Sequence, residues 1–160
     1  MEVNKLSKTR EVRLLGQLDI PAILKVCSGN TLYFQYHPPV ATAESIAADM
    51  QALPPGKRPE DKYYIGFFTG NRLIAVMDLI LDYPETATAF IGFFMVETAR
   101  QHAGIGSRLV AEAADYLCTL GYRKLRLGVD RGNPQSFAFW HKNGFSQVDE
   151  GRYIVMERTI

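Results

Sequence analysis

The sequence predicts an α/β domain built on a mixed sheet, and three observations carry that prediction. Residues 63 to 96 are dominated by strand-like runs rich in β-branched and aromatic side chains. A 3.6-residue apolar stripe follows, from about Gly104 to Leu120. After it, strand-like and helical runs alternate to the C-terminus. A three-strand meander followed by strand, helix, strand, helix, strand implies antiparallel strands at the N-terminal side and a parallel pair flanking the central helix.

Taken in order, "EVRLL" at residues 11 to 15 reads as a short strand, and Asp19 as the cap of a helix with Ile20, Ile23, Leu24 and Cys27 on one side. "SGNTLYFQYHPPVAT" contains Gly, Asn and paired prolines and reads as an aromatic loop. Thr42 caps a second helix that aligns Ala43, Ile46, Ala47, Met50 and Leu53, and "LPPGKRPEDK" ends it. "YYIGFFT", "RLIAVMDLIL" and "TATAFIGFFMV" are three strands, joined by the turns "TGNR" and "DYPET". The stripe then carries Ile105, Leu109, Val110, Ala113, Ala114, Leu117 and Cys118, and Gly121 stops it. "KLRLGV" is a strand, "NPQSFAFWHKNG" a helix with Asn133 as cap and Pro134 at its first position, and "YIVMER" the closing strand. About six strands and four helices result, with no internal repeat.

Composition limits the function classes. With 160 residues, 47% of them hydrophobic, one domain over residues 1–160 is expected. Eighteen Lys and Arg against 17 Asp and Glu give a net charge of +1, so no global field gathers nucleic acid or a membrane surface, and an anionic ligand needs a local site. Cys27 and Cys118 both fall in apolar helical patterns and read as reduced core thiols. The polar start "MEVNKLSKTR" has no signal-peptide core, and no apolar run approaches the ~20 residues that span a bilayer. A soluble cytoplasmic protein is expected, with no metal site.

The start of the stripe, "RQHAGIGSRLV", has an unusual feature. The first four N–H groups of a helix lack internal partners, and the macrodipole adds partial positive charge there. Ser, Thr, Asp or Asn normally caps that end, yet Gln101, His102, Ala103 and Gly104 precede the stripe. The donors are left for an external anion, and the glycines let it approach the backbone closely. The same glycines would also serve tight helix–strand packing. A dinucleotide fingerprint fails because Leu109 stands where its third glycine would be, and a P-loop fails at Gln51 and Arg58.

The flanks narrow the reading. "FMVETARQHAGIGSRLV" resembles the acetyl-CoA signature of the GNAT N-acetyltransferase superfamily, in which a strand ending in valine precedes a Q/R-x-x-G-x-G/A loop; Val96, Gln101, Gly104 and Gly106 match it. "NPQSFAFWHKNGF" is similar to a second family segment through Asn133, Ser136, Trp140, Gly144 and Phe145. The resemblance implies the GNAT fold, with a parallel pair splayed around the co-substrate, and the transfer of acetyl from acetyl-CoA to a primary amine of a small molecule or peptide. It implies that the pyrophosphate sits on the N–H groups of His102, Ala103, Gly104, Ile105, Gly106 and Ser107. It also implies that pantetheine pairs with the edge at Phe94, Met95 and Val96, and that Asn133 bonds from the opposite wall. Arg100 and Arg108 are candidates for the 3′-phosphate.

Acetyl transfer by direct attack needs a neutral amine, an oxyanion stabiliser and a proton for the thiolate. Backbone N–H groups near Met95 and Val96 can serve the oxyanion. Many relatives carry a tyrosine acid where this chain has Trp140, and an indole is no acid at neutral pH; it packs against the cofactor or the core. Neutralising a lysine-like amine at pH 7 costs about 4.6 kcal/mol and an α-amine only about 1, so the need for a base depends on the acceptor. Asp78 interrupts the strand face of Ile74, Val76 and Ile80, and is either the base or a structural polar group; Glu97 is the second choice and reads as an exposed loop acid. His141 and His37 are weaker candidates. The resemblance also implies that the loop "LYFQYHPP" forms part of the acceptor wall, where Tyr33, Phe34 and Tyr36 shape a pocket for a hydrophobic or aromatic amine; the same residues would equally cover the core or form a homodimer contact. A catalytically weak acyl-CoA-binding sensor or regulatory module is the alternative to an enzyme.

Overall fold

Seven strands form one sheet in the order β1-β2-β3-β4-β5-β7-β6, and every neighbouring pair is antiparallel except β4 and β5. The computed structural model describes residues 1–160. The strands are β1 (Glu11–Leu14), β2 (Lys62–Thr69), β3 (Arg72–Leu81), β4 (Thr88–Val96), β5 (Lys124–Asp130), β6 (Ser146–Glu150) and β7 (Tyr153–Thr159). The helices are α1 (Ile20–Ser28), α2 (Thr31–Tyr36), α3 (Ala43–Gln51), α4 (Ile105–Thr119) and α5 (Pro134–Lys142). The mixed α/β class and the parallel pair flanking the central helix are as predicted.

Two apolar clusters hold the helices to opposite faces. Leu109, Val110, Ala113, Ala114 and Leu117 of α4, with Trp140 of α5, pack against Met77, Leu79, Ala89, Ile91, Leu125 and Leu127 of the central strands. On the other face Ile23, Val26 and Cys27 of α1 and Ile46 of α3 meet Tyr64, Val76 and Met95. Each leucine buried in this way contributes about 1.5–3 kcal/mol. A single sheet covered on both faces explains why β3 is apolar along nearly its whole length rather than alternating.

Several local expectations are corrected. The aromatic loop contains a helix, α2, six residues long and too short to show a periodic stripe; Tyr33 and Phe34 anchor it on the α1–α3 side. β6 escapes sequence reading because all five of its residues are exposed and polar or isolated, as an edge strand tolerates. Asp19 precedes α1 but makes no cap bond to it; its carboxylate binds Arg13 and the Gly16 N–H instead. Cys27 is buried as expected, whereas Cys118 is exposed, because the stripe runs out in the last turn of α4. Thr42 and Asn133 cap α3 and α5 as predicted, through bonds from the Ser45 and Ser136 N–H groups.

Candidate active site

The site begins where the parallel pair comes apart. β4 and β5 pair only from Thr88↔Lys124 to Ile91↔Leu127. Beyond that point Phe93 to Val96 stay with β3, while Gly128 to Asp130 stay with β7. The cause lies across the sheet: Leu79 pairs with Ile91 and Asp78 with Phe93, so Gly92 has no partner and forms a bulge. A bulge bends its strand and increases the local twist, which turns the end of β4 away from β5. Only glycine fits at that position, since a Cβ there would lie 2.7 Å from Asp78 Oδ2. The glycine inside "FIGFF" is thus a site residue that the sequence reading passed over, although an isolated glycine in a strand is itself a bulge signal.

The opened edge presents backbone groups. The Glu97 N–H donates to the Ile74 carbonyl at 2.8 Å, which fixes the antiparallel alternation along β4. Met95 therefore turns its N–H and C=O toward β3, and Phe94 and Val96 turn theirs toward the gap. The Val96 carbonyl is already engaged, accepting from Gln101 Nε2 at 2.9 Å and Asn30 Nδ2 at 3.2 Å. Gln101 Nε2 also donates to Asn30 Oδ1 at 2.6 Å, so α4's leading turn, the start of α2 and the end of β4 are tied at one point.

Facing this edge, the glycine turn has the character its sequence implied. Gly104 precedes α4 in the left-handed region at φ 75°, with no side-chain cap and nothing within 4 Å of where a Cβ would stand. His102 is also left-handed at φ 60°, a conformation that costs a non-glycine residue about 1–2 kcal/mol. Such alternation curves successive N–H groups toward one concavity suited to an anion. Gly106 lets the helix close on its neighbours, because a Cβ there would sit 3.3 Å from the Phe139 ring and 3.4 Å from Val96 Cγ2. Close packing at Gly106 and an uncapped set of helix-start donors therefore coexist in this turn.

Between the turn, the β4 edge and α5 runs a cleft of about 370 Å³. Of the predicted site residues it brings together Tyr33, Phe94, Met95, Val96, Gln101, His102, Gly104, Gly106, Ser107 and Trp140. Ala103 and Ile105 belong to the turn but do not line the cleft, and Ile105 packs partly against the core. Asn133 is buried and does not line it either, its side-chain oxygen being used to cap α5. Lys142 lines the cleft without a carboxylate partner, whereas Arg100 and Arg108 do not reach it. Trp140 packs in the core, buried among Phe94, Phe139 and Phe145 with centroids 5.0–5.8 Å away, and it also forms part of the cleft wall. At the fork itself a cavity of about 40 Å³ shares Tyr33, Phe94, Ser136 and Trp140 with the cleft and adds Gly92, Gly128 and Asp130.

The two carboxylates proposed from sequence have other partners. Asp78 is 7% exposed and lies outside the lining of both cavities. Its Oδ2 accepts from Lys62 Nζ at 2.7 Å, and its Oδ1 has no partner. Burial raises its pKa, and the Lys62 ammonium opposes the rise. Glu97 is not an exposed loop acid: it is 8% exposed and bonded to Arg72 through Oε1. Of the three loop aromatics, Tyr33 alone reaches the cleft; Phe34 packs on the second core cluster and Tyr36 is exposed. Burial also pushes the Tyr33 phenol well above its ordinary pKa, so it stays protonated.

Known proteins agree with this geometry. Residues 30–145 match the model of the acetyltransferase (GNAT) family. Over 101 residues the chain is 30% identical to a spermidine N(1)-acetyltransferase of Thermoplasma acidophilum, an alignment covering 61% of this chain and 60% of that relative's length. Among solved structures, an acetyltransferase from Thermus thermophilus superposes with a TM-score of 0.82 at 24% identity, covering 95% of this chain and 97% of that one. A PaiA N-acetyltransferase from Thermoplasma acidophilum in complex with coenzyme A gives 0.72 at 22%, covering 95% and 99%. No helix here is long and apolar enough to cross a membrane.

Proposed function

Since this chain belongs to the acetyltransferase (GNAT) family, we propose that it moves an acetyl group from acetyl-CoA to a primary amine of a small molecule by direct attack in a ternary complex. The observation that carries this reading is the juxtaposition of the uncapped α4 turn with the open β4 edge across one cleft. An anion on the turn and an extended amide chain along the edge correspond to the pyrophosphate and the pantetheine arm that adjoin one another in coenzyme A.

In this reading the first-turn N–H groups of Ile105, Gly106 and Ser107 hold the pyrophosphate, and Lys142 adds a cation at the cleft wall. The free N–H groups of Phe94 and Val96 receive the pantetheine arm and the thioester. Phe94 is the deeper of the two, next to the fork, and its N–H polarises the thioester carbonyl; one such donor is typically worth about 10²–10³ in rate. Strand alternation thus moves this role from Met95 to its neighbour. Trp140 walls the acyl end, and the leaving thiolate, with a pKa near ~8.5, takes its proton from water.

The acceptor enters from the α2 side of the fork, where Asp130 lines the small cavity together with Tyr33. A carboxylate beside an aromatic wall suits a cationic aliphatic amine, and the name of the spermidine N(1)-acetyltransferase relative supports a polyamine as the first compound to test. The test is thiol release from acetyl-CoA with a panel of polyamines, diamines, amino acids and peptides. Release with any of them supports the reading. Binding of acetyl-CoA with no release from any amine would instead favour the acyl-CoA-binding sensor, and no rise in melting temperature at saturating acetyl-CoA would remove coenzyme A from the account.

A further inference from the structure

We infer that His37 and Asp130 form the proton-accepting pair for the incoming amine, with His37 as the base and Asp130 as the carboxylate that positions it; the inference rests on the acetyl-transfer reading above. Asp130 is the last residue of β5 and lines the small cavity at the fork. His37 follows α2, held there by its N–H bond to the Tyr33 carbonyl at 3.0 Å. Its Nδ1 lies 3.0 and 3.1 Å from the two Asp130 oxygens, and its ring lies 5.4 Å from that of Tyr33, tilted by 34°. Both groups that seat the imidazole line the small cavity at the fork, and His37 stands behind them at its rim without lining either cavity.

The arrangement selects one tautomer. A carboxylate on Nδ1 is satisfied by an N–H there, which leaves the lone pair on Nε2. Nε2 has no protein partner, and the His37 side chain is 44% exposed against 16% for Asp130, so the working nitrogen is accessible while its anchor is enclosed. The titratable groups against the ring are Asp130 from β5 and Tyr33 from α2, with Asp49 of α3 within electrostatic reach. Neither wall of the ring carries a cation that would repel an incoming ammonium. The other acids near the sheet centre do not compete, because Asp78 is held by Lys62 and Glu97 by Arg72.

In the step, the amine nitrogen attacks the thioester carbon, the C–N bond forms, and the C–S bond breaks with its electron pair remaining on sulfur. The surplus proton on nitrogen passes to His37 Nε2, and the thiolate is protonated by water. Proton transfer to a positioned base is typically worth about 10²–10⁴ in rate.

The experiment is the pH profile of kcat/KM for the full chain with acetyl-CoA and the best amine of the panel. His37→Gln is expected to lower kcat at least about 10²-fold, to remove the acidic limb and to leave KM for acetyl-CoA unchanged, and free imidazole is expected to restore part of the rate to His37→Ala. Asp130→Asn is expected to lower kcat with KM for acetyl-CoA unchanged, since the amide no longer holds the tautomer that leaves the lone pair on Nε2. An unchanged limb and kcat in His37→Gln overturns the pair while the acetyl-transfer reading stands. If that variant does not fold, an unchanged kcat in Asp130→Asn overturns it instead. No turnover by the unaltered protein with any amine overturns both readings.

Discussion

Asp78 Oδ2 lies 2.7 Å from the point where a side chain on Gly92 would begin, and Lys62 holds that oxygen in place at 2.7 Å. The bulge that opens the sheet is thus locked from above by a buried charge pair.

Gly92→Ala is expected to force the pinned carboxylate aside. Overpacking of this kind costs about 1–3 kcal/mol, read as a lower urea midpoint with an unchanged m-value. Acetyl-CoA binding should weaken as well, because the displaced bulge sets the direction of the β4 edge.

Lys62→Met leaves the Asp78 carboxylate buried and unpaired, since the two side chains are only 6% and 10% exposed. A loss of about 3–5 kcal/mol is expected by urea denaturation at pH 7, and Lys62→Met with Asp78→Leu should recover most of it. The pH dependence has a definite sign. The folded pKa of Asp78 is raised above its ordinary value, so the folded state binds the proton more tightly and stability falls as pH rises through that raised pKa. Removing Lys62 raises it further, and the deficit of Lys62→Met should shrink as pH is lowered.

Gln101→Ala removes the amide that ties the glycine turn to the Val96 carbonyl and to Asn30. About 1–2 kcal/mol of stability should be lost. The Kd for acetyl-CoA, measured by calorimetry, should rise more than that of a variant with an equal loss of stability elsewhere in the chain.

Gly106→Asp places a side chain against Phe139 and Val96 and a negative charge at the α4 N-terminus. The stabilisation by acetyl-CoA, about 2.7 kcal/mol for wild type at a hundredfold excess over Kd, should vanish. Gly106→Ala, which needs shifts of only a few tenths of an ångström, should keep part of it.

Cys118 is exposed, whereas Cys27 is 2% exposed and burial raises its thiol pKa to about 11. Iodoacetamide at pH 8 should add one label to the native protein, at Cys118, and a second only after unfolding. Two labels on the native protein would contradict the packing of α1.

The elements legible in sequence were those with a strong local period or a strong local stop. The α4 stripe, the three-strand meander, the Thr42 and Asn133 caps and the uncapped turn at Gly104 all depend on residues within a few positions of one another. α2 and β6 were not legible for the same reason: one is too short to show a period, and the other is polar on both faces. Glu97 was misread because its partner in space, the half-exposed Arg72, is 25 residues away, and the fold buries the carboxylate beneath it.

The sequence by itself determined that an uncapped, glycine-led helix start follows a strand ending in Val96, because helix ends and turns are governed by local backbone sterics and dipoles. Tertiary structure alone decided where the sheet forks, that Asp78 is held by Lys62, and that His37 meets Asp130 across 93 residues of chain. Those outcomes depend on strand register and helix docking, which bring distant residues to hydrogen-bond distance only after the core has packed.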